Sequence, residues 1–158
     1  VSLHLRMAET TKYPPLNLPR VELRLRRTGP KPEVWDPLRR KWLVLTPEEW
    51  VRQHFIRFLT DTHGVDPYRI MQEQPLRIDG QSLRADIVVY SQQARPQLVV
   101  ECKAAGVEIT QEVFNQVARY NIQLGVPYLV VTNGLRHYCC EIDRTARTYR
   151  FINEIPRL

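Results

Sequence analysis

Two acidic residues and a lysine interrupt strand-like segments of this sequence, and their types suit chemistry. Asp86 lies within the run Arg84–Tyr90, and Glu101 and Lys103 end the run Leu98–Lys103. Both runs are otherwise rich in Val, Ile and Leu, a composition typical of buried strands. Because an unpaired buried carboxylate is costly, these side chains need compensation from one another or from a bound cation.

The spacing of Glu101 and Lys103 predicts that both side chains point at one site. Side chains alternate along a strand, so these two share a face and Cys102 points to the other face. If the hairpin register brings Asp86 alongside, two carboxylates and the Cys102 backbone carbonyl offer oxygen ligands to a hard cation. Mg²⁺ prefers such a sparse shell, and Mn²⁺ can substitute. Lys103 would orient or help deprotonate an attacking water, or stabilise charge on a phosphate.

A simpler interpretation of Glu101 and Lys103 is an ion pair on an exposed strand edge, with Asp86 on a different face. Such a pair contributes less than about 1 kcal/mol. The strongly apolar strand around the pair favours a metal site instead. The sequence is compatible with either one or two metal ions in that site.

Two helices are expected to flank these strands. The sequence Thr46-Pro47-Glu48-Glu49 is typical of a helix start, with an N-cap threonine, a first-turn proline and a capping-box glutamate. This helix is expected to run to about Thr60 and to pack an apolar stripe on the sheet. A second helix, capped by Thr110, carries Gln116 and Tyr120 on one face because they are four residues apart.

Four short motifs accompany these elements: Arg84-x-Asp86, Val100-Glu101-Cys102-Lys103-Ala104, Gln116-Val117-Ala118-Arg119-Tyr120-Asn121 and Val131-Thr132-Asn133-Gly134. Together, the elements and motifs resemble the PD-(D/E)xK nuclease superfamily, and more closely the N-terminal nuclease domain of type I restriction enzyme R subunits. The likeness covers about Thr46 to Asp143. The D…E-x-K pattern is common by chance, and the Q-x-x-x-Y helix makes it more specific. Ala85 replaces the proline that precedes the aspartate in the family.

The resemblance implies an α/β (α+β) fold with a restriction-endonuclease-like αβββαβ core. A mixed central sheet would be flanked by helices, and an extra β-hairpin would stand at the N-terminal side. We expect residues 1–45 to form an arm and β extension, with an edge strand at Val21–Arg27. Residues 46–158 would form the nuclease-like part of one compact domain.

The activity that the resemblance implies is Mg²⁺-dependent endonucleolytic cleavage of DNA, in restriction or DNA defence. The family's catalytic residues carry over to Asp86, Glu101, Lys103, Glu48, Gln116 and Tyr120. Asp86 and Glu101 would bind the metal, and Glu49 is the alternative to Glu48 as the first-helix acid. A competing interpretation is a non-catalytic module that keeps the fold for DNA binding or for docking to a larger restriction or repair assembly. An RNA-directed nuclease is a third interpretation.

The charge of the chain is compatible with a polyanionic partner. The 23 Lys and Arg exceed the 17 Asp and Glu, which gives a net charge of +6. The candidate DNA-phosphate contacts are Arg84, Arg119, Arg136 and His137, for which solvated surface is the simpler interpretation. Other restriction-system subunits are expected partners, and the edge strand near Val21–Arg27 suggests a homodimer.

Apolar segments of the sequence are strand-sized, far below the roughly 20 residues that cross a bilayer, so we expect no membrane insertion. The N-terminal residues lack the order of a signal peptide, which favours a cytoplasmic location. The three cysteines have neither disulfide-framework nor zinc-site spacing and are expected to be reduced.

Overall fold

The computed structural model of the protein describes residues 12–78 and 80–158, so the first eleven residues of the predicted arm lie outside the described residues. The described chain forms two β-sheets and two α-helices. In chain order, the elements are β1 Leu25–Arg26, β2 Glu33–Asp36, β3 Lys41–Val44, α1 Pro47–Arg57, β4 Ile70–Ile78, β5 Gln81–Tyr90, β6 Pro96–Cys102, α2 Gln111–Leu124, β7 Tyr128–Thr132, β8 His137–Asp143 and β9 Thr148–Ile152.

The larger sheet has six strands in the order β4-β5-β6-β7-β8-β9. All neighbouring strands are antiparallel except β6 and β7, which are parallel and are joined by the crossover helix α2. The fold is therefore α+β with a mixed sheet, as predicted in outline. From α1 to β7 the order of elements is α-β-β-β-α-β.

Both faces of the six-stranded sheet are covered by apolar packing. On one face, Ile87, Val100 and Cys102 pack with residues of α1 such as Phe55. On the other face, residues such as Val88, Val99 and Val131 pack with Phe114 and Ala118 of α2. Neighbouring residues of a strand point to opposite faces, and both faces carry apolar packing. The centre of the sheet is therefore buried on both sides.

Local sequence signals position both helices. The Thr46 side chain accepts a hydrogen bond from the Glu49 N–H at 3.0 Å, and Pro47 is the first residue of α1. The Thr110 side chain accepts from the Val113 N–H at 3.2 Å, and α2 ends at Gly125 with a left-handed φ of 70°. The predicted caps are confirmed. A π-helical turn, Phe58–Thr62, extends α1 beyond its predicted end near Thr60.

The smaller sheet is formed by β1, β2 and β3, so the β extension predicted before α1 is present as a three-stranded sheet. Its first strand is shorter than predicted, because β1 pairs only Leu25 and Arg26 with residues of β2. The fully buried Asp36 carboxylate accepts from the Arg39 guanidinium at 2.6 Å and from the Gln72 amide at 3.0 Å. These contacts attach the β2–β3 turn to β4.

Two expectations, reduced cysteines and no membrane insertion, can be compared with the described residues. All three cysteines are free of disulfide bonds, and all are buried. Over residues 12–78 and 80–158, neither helix combines the length and apolar character needed to cross a membrane.

Candidate active site

A cleft of about 460 Å³ lies beside α2, over the first half of β5 and the C-terminal end of β6. The predicted catalytic residues that line it are Glu48, Glu101, Lys103, Gln116 and Tyr120. Arg84 also lines it, together with apolar residues of β5, β6 and α2. Residues from α1, β6 and α2 that are far apart in sequence thus converge on one cavity.

Asp86 lies where the two ladders that flank β5 are interrupted. Ile87 and Val100 are the last paired residues of β5 and β6 at the open end of the hairpin. Asp86 and Glu101 are the neighbouring residues beyond this pair, where the two strands separate. On the other side, Glu73 of β4 has a φ of 50° and no matched partner in β5. The Asp86 carboxylate accepts the Cys102 N–H at 2.8 Å, a bond that the strand ladder would otherwise supply. The hairpin register therefore brings Asp86 to the end of β6.

The end of β6 directs its charged side chains into the cleft. Glu101 and Lys103 line the cleft, with 3.6 Å between the lysine Nζ and the carboxylate Oε1. Cys102 is buried in the cluster on the α1 face. The Lys103 N–H donates to the Thr132 carbonyl at 2.8 Å, which fixes this segment against β7. The alternation expected of a strand is thus present at this site.

The two carboxylates are hard to ionise together. Burial raises the pKa of Glu101 to about 7, the nearby Asp86 carboxylate adds to the rise, and Lys103 opposes it. Burial also raises the pKa of Asp86, and the Cys102 N–H and the Arg52 charge only partly offset this. A cation between the carboxylates would favour their charged forms.

Removing the Glu101 charge is expected to stabilise the metal-free protein. The pKa of Glu101 is raised on folding, so its ionised form opposes folding, and the destabilisation grows as the pH rises from about 5 to about 8. We expect Glu101→Gln to raise the free energy of unfolding by roughly 1–3 kcal/mol at about pH 8, and by less at about pH 5. Urea denaturation in EDTA measures this. The exposed Glu108→Gln variant is the control, and an equal effect at both pH values would contradict the expectation.

Behind Asp86 lies a buried arginine that the sequence patterns did not single out. Arg52 Nη1 lies 3.6 Å from both the Asp86 Oδ1 and the Glu73 Oε1, and its Nη2 pairs with Glu49. The Arg52 side chain is only 9% exposed. Burial alone would lower the pKa of Arg52, but the surrounding carboxylates hold it above its ordinary value. In the sequence, the three-residue spacing of Glu49 and Arg52 on a capped helix was the signal that could have indicated this ion pair.

Glu48 and Glu49, the alternatives for the first-helix acid, have different surroundings. Glu48 is exposed and lines the cleft, and its charge contributes to the raised pKa of Asp86. Glu49 is buried and is engaged by Arg52 and by the Gln53 amide, whose Nε2 donates at 2.8 Å. Glu48 is therefore the acid that faces the cleft.

The four predicted DNA contacts lie in different places. Arg84 lines the cleft, and the exposed Arg119 lies on α2 beside Gln116 in a neighbouring depression. Arg136 is exposed in the β7–β8 turn. The His137 ring nitrogens contact the Thr132 hydroxyl at 2.7 Å and the Asn17 carbonyl at 2.8 Å. Both ring nitrogens of His137 thus contact groups of the protein itself.

The donor atoms at Asp86 and Glu101 fit a hard cation that keeps most of its water. Among the residues that the structure describes, no group of three or more His, Cys, Asp or Glu side chains could hold a metal by itself. The Cys102 thiol points into the α1-face cluster, and burial raises its pKa, so a soft metal gains no thiolate here. Two carboxylates and a backbone carbonyl suit Mg²⁺, which usually retains several waters.

Most of this chain matches the model of a known protein family. A family model described as the type I restriction enzyme R protein N terminus matches residues 47–156. The match starts at the first residue of α1 and extends past β9, so it includes every residue that lines the cleft. The three-stranded sheet precedes it. A search of curated proteins finds no match.

Proposed function

Because the chain belongs to the family of type I restriction enzyme R protein N termini, we propose that it is a Mg²⁺-dependent endonuclease. It would cleave DNA phosphodiester bonds in restriction or DNA defence, with other restriction-system subunits as partners. The observation that carries this proposal is the position of Asp86 beside Glu101 and Lys103 at the end of the β5–β6 hairpin. Glu101 and Lys103 share their cleft with Gln116 and Tyr120.

In this proposal, Asp86, Glu101 and the Cys102 carbonyl would hold Mg²⁺. When bound, Mg²⁺ supplies Lewis-acid activation of a phosphate and of a water molecule. The Lys103 ammonium, 3.6 Å from the Glu101 carboxylate, would orient the attacking water or stabilise negative charge that develops on the phosphate. These roles need a charged lysine in the cleft.

Other residues of the chain would position the reacting groups. The Arg52 charge behind Asp86 favours the ionised carboxylate, and the Cys102 N–H fixes its orientation. Gln116 and Tyr120 present an amide and a hydroxyl from the α2 wall, where they can donate to a phosphate. Glu48, exposed at the cleft, would accept a proton or bind a water.

The proposal is tested by incubating the protein with supercoiled plasmid in Mg²⁺, in Mn²⁺ and in EDTA. We expect nicked and linear products with either divalent cation and none in EDTA, and the activity should elute with the protein during size-exclusion chromatography. Single-stranded DNA and RNA substrates tested in parallel separate the alternatives. Binding of DNA without cleavage of any substrate would support the non-catalytic module instead.

A further inference from the structure

The positive charge of the chain is concentrated outside the family match. Residues 20–44 contain eight Lys or Arg and three Asp or Glu, a net charge of +5, whereas the whole chain carries +6. The matched residues 47–156 contain twelve Lys or Arg against thirteen Asp or Glu. The part of the chain that holds the cleft is thus close to neutral, and the attraction for a polyanion comes mainly from the three-stranded sheet.

On the outer face of that sheet, two arginines lie over a pair of tryptophan rings. Trp35 and Trp42 are partners across β2 and β3, and their ring centroids are 5.4 Å apart. The Arg26 guanidinium carbon lies 4.1 Å from the Trp42 centroid, and that of Arg24 lies 5.6 and 5.3 Å from the two rings. We use the name arginine–tryptophan face for these four residues. Val34 and Asp36, which alternate with Trp35 along β2, are buried on the inner side.

The arginines of this face remain available to solvent. Arg24 is exposed, and the Arg26 side chain is 41% exposed although its Nε donates to Glu33 at 3.0 Å. Contact with an indole ring restricts the positions of a guanidinium, so less rotamer freedom is lost when it binds an anion. A guanidinium matches the geometry of phosphate oxygens well.

We propose that the arginine–tryptophan face binds the sugar–phosphate backbone of duplex DNA. This surface deepens the proposed function and rests on it, since the DNA held here would be the substrate of the cleft. The guanidiniums cover the indole rings, so these rings are poorly presented for stacking with unpaired bases, which single-stranded DNA would require. The charge and the planar donors suit phosphates instead.

The position of this face allows one DNA molecule to reach the cleft. Val44, in the register position opposite Glu33, is exposed, and it precedes the cleft residue Glu48 by four residues. Four residues span at most about 14 Å, which is less than the length of one turn of DNA. The Asp36–Arg39 turn, through its bonds to Gln72 and Glu73, attaches the sheet to the strand next to β5. The sheet that carries the face is therefore attached to the elements that form the cleft, within the length of one turn of DNA.

The test is the affinity of the full chain for a short fluorescent DNA duplex, measured by anisotropy in EDTA over a range of salt concentrations. Replacing both arginines, Arg24→Gln with Arg26→Gln, is expected to weaken binding about tenfold or more and to reduce the log–log salt slope by about 2. The control is Arg147→Gln with Arg150→Gln in the β8–β9 hairpin. It removes the same charge, and Arg150 pairs with Glu141 as Arg26 pairs with Glu33.

The control pair is expected to bind within about twofold of the wild type. The conservative pair, Arg24→Lys with Arg26→Lys, should keep the salt slope, and far-UV circular dichroism with a urea unfolding curve reports whether each variant is folded. Equal binding by the glutamine and control pairs would overturn the proposal, and so would tighter binding of single-stranded DNA than of duplex. A plasmid that stays intact in Mg²⁺, with these binding differences present, would reject the nuclease activity but not this surface.

Discussion

Replacing Asp86 by asparagine is expected to lower Mg²⁺-dependent DNA cleavage about a thousandfold, because the variant would lose a charged ligand of the proposed metal site. An asparagine side-chain oxygen can still accept the Cys102 N–H that Asp86 accepts at 2.8 Å, so the end of β6 should keep its position. The initial rate of plasmid nicking measures the activity. Calorimetric titration with Mn²⁺ should show a parallel loss of affinity.

The matched control for this variant is Asp61→Asn. Asp61 is 57% exposed and pairs with Arg57 at 3.2 Å on the surface, so its replacement should change cleavage by less than about twofold. A companion variant, Lys103→Met, should lose cleavage while it retains affinity for Mn²⁺, because the lysine is not a ligand in the proposed site. Cleavage by Asp86→Asn at the wild-type rate would locate the chemistry elsewhere.

Replacing Arg52 by methionine is expected to destabilise the protein by roughly 3–5 kcal/mol, the cost of leaving buried charges without their partner. The Arg52 side chain is 9% exposed, and its guanidinium lies among the carboxylates of Glu49, Glu73 and Asp86. Without it, Glu49 in particular loses the closest of its ion pairs in a buried position. The free energy of unfolding in urea measures the effect.

Arg57→Met tests whether burial, and not charge alone, explains this loss. Arg57 lies on the same helix as Arg52, is 35% exposed and pairs with Asp61 in the surface. Its replacement should cost less than about 1 kcal/mol. Equal destabilisation by the two variants would contradict the role assigned to the buried network.

Sequence patterns predicted features that depend on the local backbone. Thr46, Thr110 and Gly125 define helix ends because their side chains or allowed φ angles act on neighbouring peptide groups. The alternation of Glu101, Cys102 and Lys103 follows from strand geometry alone. These features were therefore predictable without knowledge of the tertiary structure.

Features that depend on tertiary contacts were not predictable in the same way. Glu48 and Glu49 are neighbours on a helix, and only the docking of α1 decides that the first faces the cleft and the second meets Arg52. The burial of Arg52 depends on Glu73, whose backbone interrupts the β4–β5 ladder. The strand predicted over Val21–Arg27 is only two residues long, because only Leu25 and Arg26 pair with residues of β2. The hydrophobic periodicity and the composition of the sequence do not determine these tertiary contacts.

The claim that Asp86 and Glu101 hold a divalent cation beside Lys103 is tested most directly by anomalous diffraction from crystals soaked in Mn²⁺. We expect a strong anomalous peak about 2 Å from a carboxylate oxygen of each acidic residue and facing the cleft. Mn²⁺ bound at other positions, with no peak within coordination distance of either carboxylate, would contradict the proposed site.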